Sequence, residues 1–475
     1  MALRTTTTQY GPVRGVPCGN PTYTVFRGIP YAAPTEGANR FRAPQPPKSW
    51  QGERLCDTFS DICMQSSPVK GLPFGDFFLK EFYPYQYQCS ENSLCLNVWT
   101  PAQSSGEKLP VLFWIHGGGL GSGYGHEMEF DGEAICKAGA VLVTINYRVN
   151  CFGFFAHPEL AAEDPSGVSG NYGILDQIAA LQWVRDNIEA FGGDPQRVTI
   201  FGQSAGGASV IAQLITELSR GLFASAIIQS GAFAIATEAM VSDYKSAEQW
   251  GIDFCSLTGK TVADLRHMPA HELMALFAEG EQKLGPAPKL TVDGHVLPAR
   301  PLECLQNGLW KNIPIMVGSV RGDYALAFGD NETASSAGIA QDDVAFIGDA
   351  LVGLLQAQPD RIPAHVYYFD PYIPGHDIYN FVEDGVPYHS AELWYIFGTL
   401  DRCWRSLDGR HHDLSADMIK YWTNFAKNGD PNGDGLTPWT PFTAQQPQEL
   451  YLTENAVTMR PVKNVDKIRK TYLQK

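Results

Sequence analysis

The sequence predicts an α/β protein built on a mostly parallel sheet with helices on both faces. Two observations predict it. Short runs of β-branched and aromatic residues, bounded by Gly and Pro, alternate with stretches of helical periodicity. Several of those runs are apolar throughout, the pattern of strands covered on both sides. A third observation, Val198-Thr-Ile-Phe-Gly-Gln-Ser-Ala-Gly-Gly207, points to chemistry. It reads as a strand, then a sharp turn with Ser204 at its tip, then a helix carrying Val210, Ile211, Leu214 and Ile215. Strand, glycine-flanked serine and helix together make a nucleophile elbow, which exposes the hydroxyl above the carboxyl edge of a sheet.

Taken in order, residues 23–26 form a first strand that runs into Arg27-Gly-Ile-Pro-Tyr-Ala-Ala-Pro34, a punctuated loop. Residues 63–90 read as a loop rich in aromatics (Phe74, Phe77, Phe78, Phe82, Tyr83, Tyr85, Tyr87), folded back as a flap over an apolar cleft. Residues 94–99, 109–115 and 140–145 are further strands, the last two apolar enough to be buried on both faces. Ile174, Ile178, Leu181, Val184 and Ile188 recur at helical spacing ahead of the elbow. Residues 224–229, 314–317 and 366–369 complete the strands, and Met418, Tyr421, Trp422 and Phe425 mark the inner face of a late helix ending at Asn428-Gly429. No repeat, linker or low-complexity segment interrupts the chain, so residues 1–475 are expected to form one domain.

Composition narrows the function. The formal net charge of −16 disfavours nucleic acid and anionic membrane surfaces as partners. No apolar run approaches the length of a membrane span, and residues 1–8 lack the apolar core of a signal peptide. A cytoplasmic location is expected. The ten cysteines show no zinc spacing, and buried free thiols are the favoured reading. Asp430-Pro-Asn432-Gly-Asp434-Gly435 imitates the start of a calcium loop, but its twelfth position is Pro441 instead of a bidentate Glu, so a turn is expected. No metal or cofactor is required by the chemistry described next.

A serine nucleophile needs an oxyanion site, a base and a group that orients the base. His116-Gly-Gly-Gly119 follows a buried strand, and consecutive glycines can present bare N–H groups. Gly118 and Gly119, with the N–H of Ala205, are the expected donors. With this elbow the acid and base follow the serine in that order. Asp323 fits the acid, a short loop beyond the strand at 314–317. Five histidines follow it. His365 begins a strand, His411 and His412 lie in a polar run that reads as surface, and His376 sits in a plain loop. His389 lies where a loop enters a helix; position alone leaves it level with the other four together. Glu392 and Ser230 are candidates for supporting contacts.

These residues resemble the type-B carboxylesterases, the cholinesterase-like branch of the α/β-hydrolases. The likeness runs nearly end to end. It rests on Phe26-Arg-Gly-Ile-Pro-Tyr-Ala-Ala-Pro34 with Asn39-Arg-Phe41, on Ser90-Glu-Asn-Ser-Leu-Cys-Leu-Asn-Val98, and on His116-Gly-Gly-Gly119. Asn171-Tyr-Gly-Ile-Leu-Asp-Gln177, Gln182-Trp-Val-Arg-Asp-Asn187, Phe191-Gly-Gly-Asp-Pro195, the elbow, His389-Ser-Ala-Glu392 and Tyr421-Trp-Thr-Asn-Phe425 with Gly429-Asp-Pro-Asn432 extend it. The resemblance implies an α/β-hydrolase fold with a short cap over the active site, and makes His389 the base. Asp323 falls where the family usually carries Glu. The stretch from Asp323 to His389 is short for the family, implying a more open alcohol-side pocket.

Other departures concern sulfur and substrate. The resemblance places a cysteine at Ser93, bridged to the position of Cys63, and a second bridge at Cys255; both partners are absent here, which suits a reducing compartment. No Trp occurs in residues 63–90, where cholinesterases bind choline, so choline esters are not the expected substrates. The pattern is most similar to bacterial, unsecreted members. The expectation is a serine carboxylic-ester hydrolase for soluble short-chain or aryl esters, working through an acyl-enzyme. A lipase or amidase on the same triad, or a non-catalytic binding protein on the same fold, are the alternatives. Monomer and homo-oligomer are not distinguished.

Overall fold

The computed structural model describes residues 1–17, 21–83, 87–233, 240–323, 341–375, 384–462 and 465–473. A ten-stranded sheet runs through the centre. In chain order its strands are β1 (Thr24–Pro30), β2 (Cys95–Thr100), β3 (Leu109–Ile115), β4 (Val141–Ile145) and β5 (Gly193–Gln203). Then come β6 (Ser225–Gln229), β7 (Ile315–Val320), β8 (His365–Phe369), β9 (Gln448–Leu452) and β10 (Val457–Pro461). The spatial order is β10-β9-β8-β7-β6-β5-β3-β4-β2-β1. From β4 to β9 every neighbouring pair is parallel; β1, β2 and β10 pair antiparallel at the two margins.

The central strands are covered on both faces, and β3 shows how. Val111, Phe113 and Ile115 enter one apolar cluster with Ile174, Leu181 and Val210 from the helices above. Leu112 and Trp114 enter the opposite cluster with Met418, Trp422 and Phe425 from the helix Gly409–Asn428. The late helix therefore buries the face its spacing predicts. The helix Tyr172–Asn187 is covered more widely than an amphipathic pattern implies. Its buried Asp176 pairs with Arg148 at 2.7 Å, and Gln177 Nε2 donates to Ser209 Oγ at 3.0 Å. Asp176 and Gln177 are thus satisfied by neighbours, as burial demands, while the Trp183 indole N–H has no partner among the described residues.

Several elements escape the pattern reading, among them the helices Tyr244–Thr258, Ala270–Leu284 and Ile347–Gln356. Pro73–Glu81, expected as loop, is a helix opened by Pro73 at its first position. The flap aromatics Phe77 and Phe82 are buried, while Tyr85 and the Phe74 side chain lie outside the described residues. The margin hairpin β9–β10 alternates polar and apolar residues and pairs Glu449 with Arg460. Finally, β5 begins at Gly193, five residues before the apolar run, across a register shift against β3. Among the described residues no helix is long and apolar enough to cross a membrane.

Candidate active site

The site gathers at the carboxyl ends of β3, β5 and β7. Strand β5 ends at Gln203, and the helix Ala205–Ile215 begins at once, leaving Ser204 at φ 58°, ψ −123°. Its N–H donates to the Gln229 carbonyl on β6 at 2.9 Å, and its carbonyl accepts from Ala208 at 2.9 Å. A side chain at Gly206 would place Cβ 2.1 Å from the Ile115 carbonyl, so the helix can approach β3 only with glycine there.

The glycine loop leaves β3 beside this turn. Gly118 takes φ 94°, and its carbonyl accepts from the N–H groups of Gly121 and Ser122, both at 3.0 Å. Gln65 holds the far end, donating to Gly123 O at 3.0 Å and accepting from Gly123 N–H at 2.8 Å. Asn150 Nδ2 donates to Met64 O at 2.6 Å and to Gly121 O at 3.3 Å. Among the described residues the N–H groups of Gly118, Gly119 and Ala205 donate to no protein acceptor. His116 begins the loop, stacked on Tyr147 with centroids 4.2 Å apart. Burial lowers its imidazole to about 4, so it stays neutral.

Asp323 and His389 meet. His389 Nδ1 lies 2.7 Å from Asp323 Oδ1, and Asp323 Oδ2 accepts from Val320 N–H at 3.0 Å. Both are buried, at 2% and 7% relative exposure. Backbone pairing joins their loops: Gly322 bridges Tyr388, with Gly322 N–H donating to Pro387 O at 3.0 Å. On the far side of the ring, Gln203 Nε2 lies 3.1 Å from His389 Nε2, and Gln203 Oε1 accepts from Ser390 Oγ at 3.0 Å. With Nδ1–H facing Asp323, Nε2 is the acceptor. No hydrogen bond links Ser204 Oγ to His389 among the described residues; the Gln203 amide occupies that nitrogen.

Glu392 and Ser230 are both buried nearby, but neither touches the His–Asp pair by hydrogen bond. Gln229 Nε2 donates to Glu392 Oε1 at 3.5 Å, while Glu392 Oε2 and Ser230 Oγ have no partner among the described residues. Burial, reinforced by the charge of Asp323, pushes the Glu392 carboxyl up to about 8. Of the other histidines, His365 opens β8 and is buried, and His412 is exposed. His376 lies outside the described residues. His411 corrects the surface reading: it is buried, with Nδ1 2.7 Å from Tyr395 Oη, because it starts the inward face of an otherwise polar first turn.

Sequence reasoning passed over Gln203, Gln229, Gln65 and Asn150. All are polar residues buried or half-buried among apolar neighbours, the one signal that could have marked them.

The flap packs onto the loop that carries His389. Phe77 and Phe82 lie edge-on to Tyr388, with centroids 5.5 and 6.2 Å away. Glu81, at the flap helix end, accepts from Tyr388 Oη (3.0 Å), Trp404 Nε1 (2.7 Å) and Arg405 Nη2 (2.6 Å). The cysteines described are all free thiols. Ser93 Oγ sits 3.0 Å from Cys63 Sγ, where the resemblance anticipates a bridge. Burial raises the Cys63 thiol to about 12.

A serine elbow, a glycine loop and a His–Asp pair on a mostly parallel sheet define a hydrolase of the α/β-hydrolase class. The comparisons narrow the class. The chain belongs to the carboxylesterase family, whose model matches residues 3–362 and 339–470. It is 30% identical to the para-nitrobenzyl esterase of Bacillus subtilis (strain 168), with 100% of both chains covered. It is 37% identical to the fumonisin B1 esterase of Sphingopyxis macrogoltabida, over 68% of this chain and 56% of that protein's length. A solved thermophilic PNB esterase superposes with a TM-score of 0.84 at 27% identity, covering 99% of this chain and 100% of that one. The activity so defined is carboxylic ester hydrolysis.

Proposed function

We propose that Ser204 is the nucleophile, His389 its base and Asp323 the group that orients the base, with Gly118, Gly119 and Ala205 supplying the oxyanion donors. The observation carrying this reading is the 2.7 Å contact between His389 Nδ1 and Asp323 Oδ1, beside a serine held in the elbow. The Gln203 amide turns away from Nε2 when substrate enters, and the Ser204 hydroxyl donates there. Ser204 Oγ then attacks the ester carbonyl while Nε2 takes its proton, and the three N–H groups receive the oxyanion. The imidazolium, steadied by Asp323, passes its proton to the leaving alkoxide. Water activated by the same histidine cleaves the acyl-enzyme and returns Ser204.

Soluble short-chain or aryl esters are the proposed substrates; the acidic surface charge disfavours an interface of anionic lipid. Free thiols throughout the described residues support a reducing compartment, the cytoplasm. Two apolar clusters on opposite faces of one sheet, the first meeting a third, helical cluster at Leu175, support a single domain over residues 1–475. The test is hydrolysis of p-nitrophenyl esters from acetate to palmitate by wild type and Ser204→Ala. Short esters are expected to turn over fastest, with loss of about four to six orders of magnitude in the variant. A variant within roughly tenfold of wild type would overturn the mechanism.

A further inference from the structure

Lys289 stands against the glycine loop, and among the described residues no carboxylate pairs with its ammonium. It directly precedes the short strand Leu290–Val292, whose parallel pairing with Val241–Asp243 fixes the backbone there. A Cβ built on Gly119 would lie 3.8 Å from its Nζ. The ammonium is therefore within roughly 6 Å of the Gly119 nitrogen, given ordinary backbone dimensions. Among the described residues no hydrogen bond or ion pair engages Nζ. Burial holds the ammonium below the usual lysine value, with Glu281 pulling the other way. Glu281 Oε1 instead accepts from Ala287 N–H at 3.1 Å.

Lys289 is half-buried, and among the described residues the buried arginines are matched. Arg40 pairs with Glu91, Arg148 with Asp176 and Arg405 with Glu81. Lys311 Nζ donates to the carbonyls of Gln213 and Thr216. A partly desolvated cation without a partner is costly to hold, and one beside a reacting centre can gain its partner from a ligand. The ligand in question must enter with its carbonyl oxygen at the Gly119 N–H. His389 has to reach the leaving alkoxide, so the alcohol lies toward the imidazole. Lys289, which touches neither His389 nor Asp323, is left to the acyl side.

We propose that Lys289 binds a carboxylate carried by the acyl group, so that monoesters of short dicarboxylic acids are the preferred substrates. A chain of two or three methylenes between the ester carbonyl and the carboxylate spans the interval from the Gly119 N–H to Nζ. This rests on the reading of Ser204 and the glycine loop given above, and narrows its substrate class. A charge-assisted contact of this kind changes kcat/KM by roughly 10- to 100-fold.

The experiment compares monomethyl glutarate with methyl hexanoate, a neutral ester of similar length, and with acetoxyacetate, whose charge sits on the alcohol. Hydrolysis is followed by pH-stat in wild type, Lys289→Met, Lys289→Arg and Ser204→Ala. The expected result is a glutarate-to-hexanoate ratio of kcat/KM that falls roughly 10- to 100-fold in Lys289→Met and is largely restored in Lys289→Arg. A ratio unchanged in Lys289→Met overturns the proposal, and leaves the esterase reading intact if hexanoate hydrolysis still requires Ser204. A ratio that shifts for acetoxyacetate instead overturns the acyl-side placement. Absence of Ser204-dependent hydrolysis of every ester overturns both readings together.

Discussion

Replacing Asp323 by Asn isolates the orienting role of the acid, because the surroundings dictate how the amide must sit. Asp323 Oδ2 accepts from the buried Val320 N–H, and Oδ1 faces His389 Nδ1. Asn has one oxygen. If it serves Val320, the NH2 points at Nδ1, which must then accept, and the ring proton moves to Nε2. That tautomer cannot take the Ser204 proton. If the amide turns over, His389 is correct but the Val320 N–H meets a donor, at a cost of about 1–3 kcal/mol for a buried unsatisfied group. Either way the imidazolium loses a carboxylate, and a charged hydrogen bond is worth about 1.5–3 kcal/mol. At about 1.4 kcal/mol per decade the two losses predict a fall in kcat of roughly 10²- to 10⁴-fold. The upper end is what tautomer inversion costs in such triads generally. Steady-state hydrolysis of p-nitrophenyl butyrate at neutral pH measures it, with little change expected in KM. A variant within tenfold of wild type would refute the reasoning, and Glu392→Gln would become the next test of where the acid lies.

Two further outcomes follow from buried charges. Among the described residues, Glu81→Ala leaves Arg405, 4% exposed, only the Pro374 and Gly375 carbonyls as acceptors, beside the rings of Tyr388 and Trp404. Breaking such a pair should cost about 3–5 kcal/mol, read as a lower urea midpoint at unchanged slope; a loss under about 1 kcal/mol would count against it. Glu392 tests pH dependence. Its folded value near 8 exceeds an ordinary value near 4.5, so between those limits the folded state keeps a proton that the unfolded chain has released. Stability from this group therefore falls as pH rises through that window. Glu392→Gln, which cannot ionise, should gain in Tm over wild type from about pH 5 to 8 and hold a constant margin above. A margin independent of pH would contradict the assignment.

The parts of the site legible in the sequence are those that local chemistry dictates. The elbow declares itself because a Gly-flanked serine between an apolar strand and a helix has few other uses. Strands such as β3 are plain because burial on both faces leaves only apolar residues. The His389–Asp323 contact is different: 66 residues separate the partners, and spacing alone leaves other histidines open until the family resemblance is used. The flap helix is hidden by its proline and glycine, which read as loop until Pro73 is seen to start it. His411 is hidden by charged neighbours on the outer side of the same turn. Lys289 is illegible altogether, since its approach to Gly119 depends on how a small parallel strand pair places a loop from elsewhere in the chain.

The backbone bridge between Gly322 and Tyr388 has a consequence for how this enzyme can change. It ties off the chain between the acid and the base as a closed excursion, leaving and returning at one point. The spacing of Asp323 and His389 is therefore held by main chain at the neck of that excursion as well as by the sheet pairing of β8 inside it. Within it the helix Ile347–Gln356 and β8 belong to the core and must keep their packing, while exposed side chains such as Asp360 and Ile362 can be exchanged with the pair still in register. A lineage carrying such a neck can revise the surface beside its site while the Asp323–His389 contact is inherited unaltered, and a protein engineer can vary the same exposed positions on the same terms.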